Sequence, residues 1–389
     1  MNIPEVVRTD QGSKKQEGQG QKRSATTMRR RFLYLIGELH TGGSERQLCY
    51  LLGAMDRDRY KPAVAVWNFS ESAVHVPSIR ALNVPLYGLV QGHSRLHKLA
   101  ALRKLVTKLQ PEVVHSWSFY TNFAAHYAAL GSRSLAIGSI RSDFSWALKQ
   151  CGPLVGNISA RWPTRQICNS YSAAQNIPSS RKYFRPLQVS VVRNAVDLKQ
   201  FHNTPVPNNN PIRILGIGYL LPVKRWDWLL SAVELLKQRR IACEVQIAGN
   251  GPMRRDLEHL ALSLGIADRI KFLGHVDDVP KLIASANFVV HTGDSEGCPN
   301  AVMEAMACGR AVVATDAGDI PYLVEDGETG FVVNRGDWMA LADRIARLTT
   351  DVNLCSIMGR SARVRAESEF SLDRLVTETL ATYRLATYL

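Results

Sequence analysis

Two carboxylates, Glu296 and Glu304, stand eight residues apart in the run Ser295–Gly330. Between them lie Gly297, Cys298, Pro299 and Asn300, small residues ending in a good helix-capping type, and then an apolar stretch with helical spacing. A helix beginning there has N–H groups with no carbonyl of their own helix to bond, at the positive end of its dipole. Such a setting suits an anion such as phosphate. An acid on the loop can accept hydrogen bonds from hydroxyls on one side of that phosphate. An acid two turns along, after ~12 Å of rise, reaches hydroxyls on the other side. Sugar hydroxyls, diphosphate and ribose hydroxyls follow in that order in a nucleotide-sugar. By themselves, two acids at this spacing read as a solvated helix face, so the flanks decide.

The flanks are Glu296-Gly-x-Pro-Asn300, Glu304-Ala-Met-Ala-x-Gly309, Val312, Ala314, Gly318 and Asp326-Gly-x-Thr-Gly330. This stretch resembles the E-x7-E signature of the retaining glycosyltransferases of family 4, and the resemblance runs over roughly residues 30–389. It implies an α/β protein of the GT-B fold: two facing Rossmann-like domains, with a C-terminal helix crossing back to the first. It also implies that Glu304 holds the ribose and Glu296 the sugar hydroxyls, while the Gly297–Asn300 backbone polarises the phosphates. No metal ligand is assigned, and no cofactor is expected beyond the nucleotide-sugar itself.

Other motifs are carried over one by one. Gly42-Gly43 at a strand-to-helix turn stands where the family has a loop near the donor diphosphate and acceptor, although a plain tight turn would look the same. The second half opens with Gly216-Ile-Gly218-Tyr219-Leu-Leu-Pro222-Val-Lys224-Arg225. Here Lys224 matches the family's diphosphate lysine, Tyr219 stands where an arginine is usual, and Arg225 stands where a glycine is usual. Arg225 is expected to take over the missing arginine's grip, since a planar fork binds phosphate oxygens bidentately; a solvated helix-start residue is the alternative. Gly274, His275 and Val276 resemble the stretch whose backbone meets the base, with His275 on the rim. Arg141 occupies a position where the family often has histidine. An arginine cannot act as a base, but it can stabilise a leaving diphosphate. His115 and Glu45 are candidate acceptor contacts; for His115 the alternative is a satisfied histidine at a strand end. Tyr322 replaces a common glutamate. Gly249-Asn250-Gly251-Pro252, Asn169-Ser170 and Arg193–Asp197 resemble structural landmarks, with Asn194 expected to adopt a turn.

The elements that must position these residues read as short β-rich runs alternating with amphipathic segments, the pattern of helix-covered parallel sheets. Strands are expected near 32–38, 63–67, 86–89, 113–117, 136–141, 166–169 and 189–192, then at 212–218, 245–248, 270–273, 288–292, 311–314 and 331–333. Helices are expected at 44–55, 95–109, 119–130, part of 143–162, 226–239, 252–264, 299–308, 337–349 and 372–387. A linker signal, Asn203–Pro211, separates the halves. The division is a disordered polar leader over 1–27, an acceptor-binding domain over 28–200, a nucleotide-sugar domain over 201–370 and a crossover helix over 371–389. Met28 is an alternative start.

Composition is that of a globular protein, with 46% apolar and 21% charged residues. Seven scattered cysteines lack a Cys-x-x-Cys pair, which argues for a reducing compartment and against zinc. No run of apolar residues is long enough for a membrane span. The net charge of +14 is uneven: +5 over residues 1–31, +12 over 32–195 and −3 over 196–389. A basic first half draws polyanions, and without nucleic-acid motifs the anionic membrane surface is favoured; an excess of Arg and Lys that only keeps the domain soluble is the alternative. The helix Ser94–Gln110 carries a leucine stripe at 96, 99, 102, 105 and 109, expected to face the core, and five basic residues that face either lipid or water.

The reading is a metal-independent hexosyltransferase in the cytoplasm or at the membrane's cytoplasmic face. It would move a sugar from a nucleoside-diphosphate sugar, UDP preferred to GDP, to a lipid-linked or membrane-surface glycan in polysaccharide biosynthesis. A non-catalytic nucleotide-sugar binder and a GT-B phosphorylase or epimerase remain as alternatives.

Overall fold

The computed structural model describes residues 7–8, 29–40, 42–89, 94–178 and 184–385. The proposed leader and the alternative start at Met28 lie outside the described residues, apart from β1 (Val7–Arg8). Those two residues pair antiparallel with Tyr87 and Gly88. The chain forms two compact units, the first comprising residues to Asn169, Ala173–Val192 and the chain from Leu375 onward. The second comprises Ser170–Ser172 and Arg193–Arg374.

In chain order the first half runs β2 (Arg30–Ile36), α1 (Gly43–Ala54), β3 (Tyr60–Val66), α2 (Val76–Ala81), β4 (Leu86–Gly88), α3 (Arg95–Leu109), β5 (Val113–Ser116) and α4 (Asn122–Ala129). It continues with β6 (Leu135–Ile140), α5 (Phe144–Cys151), α6 (Pro153–Arg161), β7 (Arg165–Cys168), α7 (Tyr171–Gln175) and β8 (Gln188–Val191). The strand order is β1-β4-β3-β2-β5-β6-β7-β8, parallel except for β1. Alternation sorts the side chains by face. Leu33, Leu35 and Val114 pack under Leu102, Leu105, Ala124 and Ala128 of α3 and α4. Tyr34 and His115 point the other way and meet Tyr383.

The second half runs β9 (Ile212–Ile217), α8 (Trp226–Gln238), β10 (Cys243–Ala248), α9 (Arg254–Ser263), β11 (Ile270–Gly274), α10 (Val279–Ala284), β12 (Phe288–His291) and α11 (Asn300–Ala307). Then come β13 (Val312–Thr315), α12 (Ile320–Leu323), β14 (Gly330–Val333), α13 (Trp338–Thr350), α14 (Val352–Glu369) and α15 (Leu372–Leu385). Its sheet, β11-β10-β9-β12-β13-β14, is wholly parallel. Ile214, Val245, Val290 and Val313 face α8 and α13. Leu215, Val289, Val312 and Ala314 face α11 and α14.

The 18-residue α14 was not expected from the sequence. Its buried side is Cys355, Met358, Gly359, Ala362 and Ala366, a helical stripe of mostly small residues with little hydrophobic contrast. Small residues are needed because a β-carbon at Gly359 would collide with the Gly309 carbonyl. The helix α3 also departs from expectation: Leu96 is 76% exposed while Lys98 is buried. A strict three-residue spacing falls about 60° short of a full turn at each step, so the leucine row drifts off the buried side. The Lys98 stem takes the place, with its Nζ donating to Asn68 Oδ1 at 2.7 Å. Among the described residues no helix is long and apolar enough to cross a membrane.

Each sheet reverses direction once. In the second, the chain runs outward from β9 through β10 to β11 and returns beside β9 as β12. Loops leaving the carboxyl ends of β9 and β12 therefore diverge and leave a crevice, the usual ligand position in open α/β sheets. The first sheet has the corresponding point between β2 and β5.

Candidate functional site

The loops after β9 and β12 are stitched together at the second unit's crevice. Asp294 donates its backbone N–H to the Val223 carbonyl at 2.9 Å, and Thr292 Oγ1 donates to the Lys224 carbonyl at 2.8 Å. Lys224 Nζ then reaches Glu296 Oε1 at 2.5 Å, with the two side chains 20% and 10% exposed. His291, at the end of β12, places Nε2 3.0 Å from the same carboxylate oxygen. Burial alone would raise the Glu296 pKa, but the Lys224 charge and the His291 hydrogen bond outweigh it and bring it down to about 2. Glu296 is thus a fixed anion above a buried histidine and beside one lysine.

The loop between Glu296 and α11 is held from below. Asn194, nearly buried, donates from Nδ2 to the Cys298 carbonyl at 2.9 Å and to Asn300 Oδ1 at 2.9 Å. Asp319 N–H bonds the Gly297 carbonyl at 2.9 Å. Gly318 has φ +58°, and a β-carbon there would run into the Glu296 and Gly297 carbonyls. Cys298 is buried beside Met303, where burial pushes its thiol up to about 12. Its side chain packs the loop inward, so only its backbone is placed to meet a ligand. Pro299 precedes the first turn of α11, which starts at Asn300. Glu304 lies in that helix with 2% of its surface exposed.

Arg225 is not placed as expected. Its Nε and Nη2 form a fork on Asp227 (3.0 and 2.7 Å), and Nη1 reaches Asp294 at 3.1 Å. The guanidinium also lies 4.0 Å from the Trp228 ring centroid. This arginine braces one loop against the other. Its backbone explains why a glycine is usual here: φ is +48°, in the left-handed region where a side chain costs about 1 kcal/mol. The two carboxylates and the indole hold it there. Tyr219 is 43% exposed, and its carbonyl accepts from Trp226 Nε1.

The base-contacting candidates end β11, where Gly274 takes φ +72° and its carbonyl accepts from Gly249 N–H at 2.7 Å. His275 is exposed and pairs with Asp277 at 3.1 Å, while Val276 is half-buried. Asn194 does not adopt a left-handed turn: it is absent from the positive-φ positions, and its work is done by the side chain.

At the first unit's reversal, Gly42 caps α1 in an extended conformation, and Gly43 and Glu45 follow in the first turn. Burial raises the Glu45 pKa against the lowering effects of its own backbone hydrogen bond and of Arg141. The Arg141 guanidinium lies 3.5 Å from the Trp117 ring centroid, and Trp117 Nε1 donates to the Ser44 carbonyl at 2.8 Å. So Glu45, Trp117 and Arg141 gather at one strand-end cluster. His115 packs edge-on against Trp117, with ring centroids 5.1 Å apart, and turns its two nitrogens into the core. It is 1% exposed, with Nδ1 2.7 Å from Tyr383 Oη and Nε2 3.0 Å from Ser139 Oγ. Burial, reinforced by Arg141, holds it neutral, and it belongs to the core beneath α15. An Asp-x-Asp triplet not singled out above, Asp56-Arg57-Asp58, forms the turn before β3, at the opposite end of the sheet from this cluster.

Sequence reasoning missed His291, Asp294 and the role of Asn194. His291 sits five residues before Glu296 on an apolar strand, where a histidine stands out, yet nothing in the spacing says that it points back to the loop.

Two family models match the chain: Glycosyltransferase Family 4 over residues 41–200 and Glycosyl transferases group 1 over 211–351. N-acetyl-alpha-D-glucosaminyl L-malate synthase of Bacillus anthracis is 30% identical over 165 residues, a match taking in 42% of this chain and 43% of that one. The UDP-Gal:alpha-D-GlcNAc-diphosphoundecaprenol alpha-1,3-galactosyltransferase of Escherichia coli is 24% identical over 321 residues, 77% of this chain and 82% of that one. The chain spans about half the length of several curated relatives it matches. Among solved structures, Anabaena HepE in complex with UDP and glucose superposes with a TM-score of 0.77 at 20% identity, covering 91% of this chain and 99% of that one. Over residues 41–200 and 211–351 the chain carries a family 4 glycosyltransferase resemblance, and its fold is GT-B.

Proposed function

We propose that the chain transfers a hexose from a nucleoside-diphosphate sugar to a glycan acceptor, with retention of configuration and without an obligatory metal. The second unit holds the donor and the first the acceptor. The observation that carries this reading is the β9/β12 crevice. It brings a lysine, an ionised carboxylate and the amino end of α11 to one place at the sheet's reversal. Lys224 and the first amides of α11 take the diphosphate and stabilise the charge that develops on it as the glycosidic bond breaks. Glu296, held ionised, accepts hydrogen bonds from the sugar hydroxyls, and Glu304 from the ribose. Gly274, His275 and Val276 line the base. Within the first unit, Arg141, Gly42, Gly43 and Glu45 form the acceptor-side cluster. Arg225 serves by bracing Asp294.

The preference for UDP is supported by the solved relative that binds UDP and glucose and by the Escherichia coli relative named for UDP-Gal. The latter's diphosphoundecaprenol substrate supports a lipid-linked acceptor in polysaccharide assembly, at the cytoplasmic face of a membrane. A second reading, a nucleotide-sugar binder without transfer, is favoured by Tyr219 in the arginine's place.

The test is transfer from radiolabelled UDP-glucose, UDP-galactose and UDP-N-acetylglucosamine to an extract of lipid-linked saccharides. One donor should label an extractable product whose new linkage keeps the donor's anomeric configuration by NMR, and Glu296→Ala should abolish it. Binding of a donor with neither transfer nor hydrolysis would overturn the reading, as would turnover that depends on phosphate and not on acceptor.

A further inference from the structure

Asp143, Asp278, Asp337 and Asp351 each stand before a helix and accept a hydrogen bond from an N–H of its first turn. Asp319 stands at the same position before α12 and does not. Its residue is fully buried, and its carboxylate turns to another segment, accepting from Tyr171 N–H at 3.0 Å and Ser172 N–H at 2.9 Å. Both donors belong, like Asp319, to the second unit. A buried carboxylate is costly. Burial raises the Asp319 pKa, and the Ser172 and Tyr171 N–H groups with the Arg193 charge pull it back only in part. Tyr322, standing where a glutamate is common, meets the same segment with its ring, 5.2 Å between centroids from Tyr171. The carboxylate there is supplied by Asp319, about one turn earlier.

The main chain of Asp319 is engaged as well. Its carbonyl accepts from Tyr322 N–H at 2.9 Å and Leu323 N–H at 3.0 Å, closing α12, and its N–H donates to the Gly297 carbonyl at 2.9 Å. The Gly297–Cys298 peptide is trans and planar. A Gly297 carbonyl held toward Asp319 therefore turns the Cys298 N–H the opposite way. That amide lies two residues after Glu296 and six before Glu304. On the order sugar, diphosphate, ribose, it stands by the phosphate next to the sugar.

We propose that Asp319 is a positioning residue for the donor: its carboxylate, anchored on Tyr171 and Ser172, holds its own N–H on the Gly297 carbonyl and so aims the Cys298 N–H at the phosphate adjoining the sugar. The choice of ligand rests on the transferase reading, and the anchoring does not.

The experiment compares wild type, Asp319→Asn and Asp319→Ala in two measurements. Hydrogen exchange reads the backbone N–H of residue 319, which every variant keeps. Its exchange should quicken about tenfold in Asp319→Ala and less in Asp319→Asn, whose amide offers one acceptor oxygen in place of two, while the amides of β13 keep their wild-type rates. Calorimetric titration reads the ligand. UDP should bind Asp319→Ala about tenfold more weakly, as the loss of one charge-assisted hydrogen bond implies, with Asp319→Asn between. UMP, which lacks the second phosphate, should bind all three proteins alike. Arg365 donates from Nε to the Leu323 carbonyl and from Nη2 to the Tyr322 carbonyl, each at 2.9 Å. Arg365→Gln thus frees the far end of α12 and controls for general loosening; it should leave the ratio of UDP to UMP affinity as in wild type. If Asp319→Ala does not fold, Asp319→Asn, which keeps the volume, carries both measurements. An unchanged exchange rate at residue 319 would overturn the proposal, as would equal losses of UDP and UMP, or a shift in their ratio by Arg365→Gln as large as that by Asp319→Ala. Wild type binding neither nucleotide would overturn the transferase reading and this role together. Wild type and variants binding UDP equally well would overturn the role alone.

Discussion

Lys224 and Glu296 are each other's partner in this structure, so removing one should harm the fold more than removing both. Lys224→Met leaves Glu296 with only His291 beside it. Breaking a fully buried pair from one side costs roughly 3–5 kcal/mol. With side chains 20% and 10% exposed, water recovers part of that, and roughly 2–3 kcal/mol is expected. For a unit of this size each kcal/mol lowers the melting temperature by about 2–4 °C, so the second unit should melt about 5–10 °C lower. Glu296→Gln should cost less, because the lysine can swing toward solvent. The double variant should be more stable than the sum of the single effects by ~2 kcal/mol. Urea unfolding of all four proteins closes the cycle. Single effects that add within about 0.5 kcal/mol would show the contact to be energetically idle and would refute the argument that each group holds the other.

Three more predictions come from the same loop. His291→Ala should weaken binding of the nucleotide-sugar about tenfold but leave the bare nucleoside diphosphate unchanged, since only the sugar meets Glu296; isothermal titration with both ligands separates the two, and an equal loss would make His291 merely structural. Gly318→Ala should destabilise by roughly 1–3 kcal/mol and reduce transfer, because the added carbon strains a left-handed residue and pushes the Glu296 and Gly297 carbonyls; an unaltered melt would show that the loop yields freely. The Glu296 pKa is lowered to about 2, so its contribution to stability is whole above the unfolded carboxylate value of about 4.3 and is lost as pH falls from there through about 2. Acid unfolding of wild type and Glu296→Gln should therefore diverge above that window and converge below it, and parallel curves throughout would contradict the shift.

Much of the architecture was legible because the strands are short, β-rich and separated by turn residues. Every expected strand appears within a few residues of its place, from β2 to β14. What escaped has physical causes. The helix α14 buries small residues, so its pattern lacks contrast, and Leu96 joined a leucine row whose spacing the helix cannot keep on one side. In the site, Glu296, Glu304 and Asn300 stood out by spacing and type, while Lys224 came only from the family resemblance. Their partners could not be read, because His291, Asn194 and Asp319 reach the loop through folding. For Arg225 the charge was legible and the backbone was not: the position takes a left-handed conformation, and the guanidinium is tied to Asp227 and Asp294.

The central claim is that the second unit binds a nucleoside diphosphate between the β9 and β12 loops and holds its ribose through Glu304. The most direct measurement is the melting temperature of wild type and Glu304→Gln with UDP, GDP, ADP and CMP. A ligand of the folded state stabilises it by ~2.7 kcal/mol at a hundredfold excess over its dissociation constant. The account predicts a rise with UDP in wild type that Glu304→Gln abolishes while its own melt without ligand stays cooperative. No rise with any nucleotide, or the same rise in both proteins, would contradict it.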